Sequence, residues 1–186
     1  MRKKPEIIST TTVARSRLFH VEQIDLKFTN GAEVSYERLT GSKNGAVLVV
    51  PLVDEATVLL IREYAAGVDR YELGLPKGRV EPGEEILNAA NRELMEEVGH
   101  GARRLDHLST FTLAPAYFGH HTQIVLARDL YEQRLPGDEP EEIEVVPWRL
   151  DQIDALLGGG ECTEARTIAA LYMVRDLLGR ERGAMA

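Results

Sequence analysis

Residues Gly78 to His100 read GRVEPGEEILNAANRELMEEVGH. Within this stretch, Glu84 to Val98 carries the strongest helical signal in the chain. Pro82-Gly83 stands before it, Leu87, Leu94 and Val98 form one apolar stripe, and Gly99 supplies a stop. Glu93, Glu96 and Glu97 are spaced i, i+3 and i+4, so their carboxylates leave the helix within an arc of about 100°. Three like charges this close repel one another. A hard divalent cation removes the repulsion, and Mg²⁺ in particular takes oxygen ligands and keeps waters for substrate phosphates. Arg92, four residues before Glu96, can pair with it and hold that carboxylate in place. The apolar stripe lies about 120° from the acidic face, so packing it would turn the glutamates outward into a cleft. Taken alone, three glutamates on a helix also describe an ordinary solvated face. What surrounds them narrows the reading.

Ahead of this segment, Val21 to Phe28 alternates in polarity, Asn30-Gly31 marks a tight turn, and Glu33 to Leu39 resumes a strand, which predicts an N-terminal β-hairpin. Gly41 to Gly45 reads as a hinge. Ala46 to Leu52 and Ala56 to Ile61 are almost continuously apolar and are expected as buried central strands joined as a hairpin, with Pro51 ending or bulging the first. Arg70 to Leu75 is one more short strand before Pro76-Lys77-Gly78 breaks the pattern. Beyond the box helix, Leu105 to Leu113, Thr122 to Ala127 and Ile143 to Trp148 read as strands. Leu150 to Leu157 and Thr163 to Leu178 read as helices, broken at Gly158-Gly159-Gly160. The expected fold is α/β: an α/β/α sandwich around a mixed sheet, with an antiparallel N-terminal hairpin. Residues 1–43 would form the hairpin segment and residues 44–186 the main domain.

Composition sets limits on function. Lys and Arg total 22 against 30 Asp and Glu, a formal charge of −8. Such a chain repels nucleic acid at long range, so phosphate chemistry here needs local cations. No apolar run approaches a membrane span, and the basic MRKKPEIIST start lacks a signal-peptide core. Cys162 is the one cysteine and is expected as a small buried residue, not a nucleophile. A cytoplasmic, reducing location suits it.

The loop and helix together identify a family by resemblance. Gly78, five residues, Glu84, seven residues, then Arg92-Glu93-Leu94-Met95-Glu96-Glu97-Val98-Gly99 match the Nudix box at each specified position up to Gly99. His100 stands where the pattern has an apolar residue, which bears on local packing more than on chemistry. The resemblance spans about Asn44 to Leu178 and points to the ADP-ribose pyrophosphatase branch. The segments Thr12–Phe19, Ile61–Ala65 and Gly137–Pro140 extend it to hydrolases of ADP compounds. In that branch a proline about sixteen residues past the box glycine marks ADP-ribose enzymes, and a tyrosine just beyond marks dinucleoside polyphosphate hydrolases. Pro115 and Tyr117 stand at these positions.

The resemblance implies metal-dependent hydrolysis of the pyrophosphate in ADP-ribose, NADH or diadenosine polyphosphates, releasing AMP. It implies Glu93 and Glu97 as direct Mg²⁺ ligands (Mn²⁺ is an alternative), Glu96 sharing a second ion, and the Gly78 carbonyl or its neighbour as a further ligand. Glu84 would stay near the ions through water or Arg92. It implies a general base on a loop outside the box, where Glu139 aligns best with Glu141 in reserve. Arg62, at the end of a buried strand, could clamp the diphosphate, or it could form a surface ion pair. Glu72 could read the adenine edge, and Tyr36 or Arg38 the adenosine. Adjacent His120 and His121 point to opposite strand faces and do not suggest a metal pair. The N-terminal strands imply a homodimer in which each chain helps build its partner's adenosine pocket. Two rivals remain: another Nudix specificity, such as a nucleoside triphosphate or nucleotide sugar, and a non-catalytic ADP-ribose sensor. The intact box and the lack of a basic patch speak against the sensor.

Overall fold

Alternate residues of the first central strand face opposite ways and seed two separate cores. In the computed structural model, which describes residues 2–42, 44–137 and 139–185, Val47 and Val49 join one apolar cluster while Leu48 and Val50 join another. The chain divides into two compact units, Met1–Gly45 with Thr112–His121, and Ala46–Phe111 with Thr122–Ala186.

The first unit holds a three-stranded antiparallel sheet, β1 (Glu6–Arg15), β2 (His20–Lys27) and β3 (Glu33–Leu39), in that order. The expected hairpin is β2–β3, with Gly31 at φ +85° in its turn. β1 is an addition. Its residues IISTTTVAR do not alternate in polarity, but they are mostly β-branched and suit a pleated strand. The segment Thr112–His121 belongs to the same unit. Leu39 donates its N–H to the Tyr117 carbonyl at 2.8 Å, and Gly119 donates to the Leu39 carbonyl at 2.8 Å. At Gly41 a β-carbon would lie 2.6 Å from the Gly119 carbonyl oxygen, so only glycine permits this backbone approach.

The second unit is the sandwich. One sheet runs β7 (Lys77–Arg79), β4 (Ala46–Pro51), β9 (His121–Glu132), β8 (His100–Thr112); the other runs β10 (Glu144–Arg149), β5 (Thr57–Ala65), β6 (Arg70–Gly74). β4 is parallel to β9 and antiparallel to β7, so the sheet is mixed. The helices are α1 (Ile86–Glu97), α2 (Ile153–Gly158), which follows a 3₁₀ turn, and α3 (Ala165–Met185). Leu48, Val50, Val58 and Leu60 pack with Leu156, Leu171 and Val174 of α2 and α3. Val47, Val49, Leu59 and Ile61 pack with Ala89, Ala90 and Leu94 of α1. Helices therefore cover both faces, as the sequence pattern predicts.

Three expectations need correction. β4 and β5 do not form a hairpin: a single bridge, Leu52 to Val58, links them before they part into different sheets. Apolar runs show burial but not pairing partner, and β4 pairs instead with β9, far along the chain. Leu87 is exposed, whereas Ala89 and Ala90 are fully buried, because the small alanines let α1 approach the sheet closely. Lys77–Arg79 continues as a strand against β4 where the Pro76-Lys77-Gly78 sequence suggested a break.

Candidate active site

α1 begins at Ile86, after Glu85 in an extended conformation, and Glu84 just ahead of it serves the loop. Its carboxylate accepts the Glu81 N–H at 3.0 Å and both ends of the Arg92 guanidinium, Nε and Nη2, at 3.0 Å each. This closes the Pro82-Gly83 turn, in which Gly83 sits at φ +83°. At the other end Val98 donates to the Leu94 carbonyl, and Gly99 at φ +77° takes the left-handed position that ends a helix. Asn91 Oδ1 accepts the Ala102 N–H at 2.8 Å, which ties β8 to the helix.

The three box glutamates are not equally placed. Glu93 and Glu97 are 8% and 4% exposed, so the acidic face is more deeply buried than the outward-facing cleft that the stripe suggested. Its burial follows from β7, which lies alongside. The Glu93 carboxylate rests against Gly78, where any β-carbon would overlap it. The Lys77 N–H donates to Glu97 Oε2 at 2.8 Å, while Lys77 Nζ pairs with Glu63 at 2.7 Å. Arg92 also reaches Glu93 at 2.8 Å, Glu96 at 2.9 Å and the Arg79 carbonyl at 2.9 Å. The i, i+4 pairing with Glu96 is present, but it is one of four contacts. Arg92 is the hub of the box.

Electrostatics follow from burial. Desolvation raises the Glu93 carboxyl above its ordinary value, and pushes Glu97 up to about 8. Glu84, held by Arg92, is lowered instead. Glu93 also feels the charge of Glu139, a residue 46 positions later in the chain. Buried carboxylates one helical turn apart, with oxygen as the only donor type, suit a hard divalent cation. Among the described residues no three acidic, histidine or cysteine side chains converge as ready ligands. Here Arg92 takes Glu93 and Glu96, while Glu97 accepts a backbone N–H. The donor set fits the ion and Gly78 leaves it room; a rotation of these carboxylates would gather them.

Opposite α1 lies a groove of about 380 Å³. Glu96 and Arg134 line it together with Pro136, Gly137, Glu139 and Glu141. The acidic loop that the sequence marked for a general base thus adjoins the box helix. Its two candidates differ. Glu141 accepts the Tyr71 hydroxyl at 2.8 Å, while Glu139 folds back over Gly137, where a β-carbon would overlap its carboxylate.

The six residues picked for substrate contact separate by unit. Tyr36, Arg38, Pro115 and Tyr117 line one groove of about 320 Å³ in the first unit, floored by Ile24, Leu26 and Phe118. Arg38 is held there by Glu22 at 3.0 Å. Arg62 and Glu72 belong to the second unit. Arg62 pairs with Glu144 at 2.8 Å and Glu161 at 2.7 Å, and Glu72 accepts the Thr163 N–H at 3.0 Å and pairs with Arg70. His120 packs near Phe118, ring centroids 5.7 Å apart.

Sequence reading passed over Lys77, Tyr71 and Arg134. The first two gave no signal, since their partners lie far along the chain, on α1 and β5 for Lys77 and in the acidic loop for Tyr71. Arg134 did give one: it is the only basic residue between positions 129 and 148, amid seven acids.

Known proteins resemble this chain over most of its length. Residues 42–170 match the NUDIX domain model, and residues 5–38 match the NudE-type Nudix hydrolase N-terminal domain. The chain is 49% identical over 176 residues to the ADP compounds hydrolase NudE of Escherichia coli (strain K12), covering 95% of this chain and 94% of that one. It is 29% identical over 171 residues to an ADP-ribose pyrophosphatase of Bacillus subtilis (strain 168), covering 88% and 91%. A crystal structure of an ADP compounds hydrolase superposes with a TM-score of 0.89 at 48% identity, over 97% of each chain.

Proposed function

This chain belongs to the Nudix hydrolase family, and on that premise we propose that it splits the diphosphate of ADP-linked compounds, releasing AMP and the phosphorylated remainder. The observation that carries the reading is a helix with the buried carboxylates Glu93 and Glu97, whose Glu96 lines one groove together with Glu139. The same premise implies a divalent metal, for which we favour Mg²⁺ with Mn²⁺ as substitute. Bound by Glu93, Glu96 and Glu97 beside Gly78, it would supply Lewis acidity at a bridging phosphate and acidify an attacking water.

The chain's own residues would do the rest. Arg92 holds Glu84, Glu93 and Glu96 at fixed spacing and balances their charge. Glu139 takes the proton of the attacking water, favoured over Glu141 because the Tyr71 hydroxyl already occupies the latter. The groove of Tyr36, Arg38, Pro115 and Tyr117 is largely apolar, with aromatic rings and the Glu22-paired Arg38 at its lining, which suits an adenosine. Arg62 and Glu72 would need to leave their present partners to reach substrate.

The N-terminal strands support a homodimer. β1 is exposed along its whole length, and Ile7, Ile8 and Val13 leave more than half their surface to solvent, an apolar edge that a second copy could cover. Among the described residues no helix is long and apolar enough to cross a membrane. A lone buried thiol suits the reducing cytoplasm.

The test is a panel of ADP-ribose, NADH, diadenosine triphosphate, GDP-mannose and deoxynucleoside triphosphates with Mg²⁺. Preference for the ADP compounds with AMP as product is expected; faster turnover of triphosphates or GDP-mannose overturns the reading. Tyr36→Ala should raise KM for ADP-ribose more than it lowers kcat, and light scattering should give twice the chain mass.

A further inference from the structure

We propose that Arg134 is a substrate-binding residue of this enzyme, whose guanidinium grips a phosphate of the substrate from the side of the groove facing Glu139.

Its position is built, although its side chain is exposed. The backbone on either side is tied to the last turn of α1: Gln133 donates its N–H to the Gly99 carbonyl at 3.1 Å, and Leu135 donates to the Met95 carbonyl at 3.2 Å. The guanidinium lies over the α-carbon of Gly99. A β-carbon there would stand 2.8 Å from Nη2 and 3.0 Å from both Cζ and Nε. Gly99 is glycine for its left-handed φ of +77°, and its missing β-carbon also lets the guanidinium settle against it.

The arginine is also underused. Among the described residues its one hydrogen bond runs from Nη1 to the Glu96 carbonyl and is long, at 3.5 Å. No ion pair joins it to Glu96, Glu139, Glu141 or Glu142, although all four line the same groove. By contrast Arg62, Arg92 and Arg38 each meet a carboxylate within 3.0 Å. A guanidinium offers five donors in a planar fork that matches two phosphate oxygens. A groove walled by glutamates repels a diphosphate, and Arg134 is its only lining cation among the described residues. A structural rival exists, since a cation at the carbonyl end of α1 stabilises the helix slightly.

The inference rests on the hydrolase reading above, and its test separates the two. Wild type, Arg134→Lys and Arg134→Ala are compared on whichever diphosphate the wild type cleaves fastest, and in calorimetric binding of ADP. The expected loss in kcat/KM for Arg134→Ala is about 10–100-fold, with weaker ADP binding, an unchanged Mg²⁺ activation midpoint and partial recovery on adding ethylguanidinium. Arg134→Lys should fall between. Wild-type kcat/KM and ADP affinity in Arg134→Ala would overturn the proposal. So would a loss that tracks a lowered Tm and is not rescued, which is the signature of helix capping. Should the wild type cleave no ADP compound, the hydrolase reading fails by itself, while ADP binding still judges Arg134.

Discussion

The Glu93 carboxylate occupies the space that a side chain at Gly78 would need. The first residue of the box and a residue of its helix, fifteen positions apart in sequence, are thus two halves of one steric fact. Gly78 is a strand residue of β7 paired with Val47, so it has little freedom to retreat.

Gly78→Ala should consequently displace Glu93 while leaving both cores intact. Misplacing a reacting group by about 1 Å can cost 10²-fold in rate. A loss of about that size in kcat is expected, with a raised Mg²⁺ requirement and near-native circular dichroism. An alanine variant with wild-type kcat at ordinary Mg²⁺ would show that Glu93 need not stay against β7.

Glu97 is almost fully buried with a single backbone hydrogen bond, from Lys77. Charging a carboxyl buried this way is costly without a cation, which is why its value rises to about 8. Glu97→Gln keeps an oxygen acceptor for the Lys77 N–H and removes the charge. In EDTA its Tm should match or exceed that of the wild type, and the Tm rise that Mg²⁺ gives the wild type should shrink. Its kcat should fall at least about 10²-fold at saturating Mg²⁺. Unaltered Mg²⁺ stabilisation would remove Glu97 from the ligand set.

The loop glutamates can be told apart. A general base contributes about 10²–10⁴-fold, so Glu139→Gln should lower kcat by that factor with KM and Mg²⁺ affinity nearly unchanged. Glu141→Gln should cost far less, and Tyr71→Phe, which frees Glu141, should cost little. A larger loss in Glu141→Gln would move the base two residues along. Two unaffected variants would reduce the loop to a solvated turn.

Cys162 gives a pH-dependent prediction. Burial pushes its thiol up to about 11 from an ordinary value of 9.0, so almost none is thiolate at neutral pH. Native protein should react with iodoacetamide far more slowly than urea-unfolded protein at pH 7.5. Because the folded value is the higher one, its contribution to stability is intact below pH 9 and is lost as pH rises through about 11. The Tm of the wild type should fall more steeply than that of Cys162→Ala across this window. Parallel Tm curves, or rapid native alkylation, would contradict the buried thiol.

Local pattern determined much of this protein. The 3.6-residue period and glycine stop gave α1 to within two residues at its start, polarity alternation gave β2, and the Asn30-Gly31 turn gave β3 after it. Fixed spacing along one short segment identified the box, because loop–helix chemistry needs glycine, arginine and carboxylates at set intervals. The residues chosen for substrate contact came from the resemblance and not from local pattern; four of them, Tyr36, Arg38, Pro115 and Tyr117, line one groove.

Tertiary structure decided what no local pattern encodes. Strand order is a choice among partners of similar apolar character, so β4 next to β9 and apart from β5 was not legible. The depth of Glu93 and Glu97 depends on β7 lying against α1, and helical periodicity alone predicts such charges outward. Arg92 meets four partners, and only the i, i+4 one could be read from spacing. Arg134 reaches the box helix from the end of β9, thirty-five residues past Gly99, and that proximity exists only once the sheet has folded.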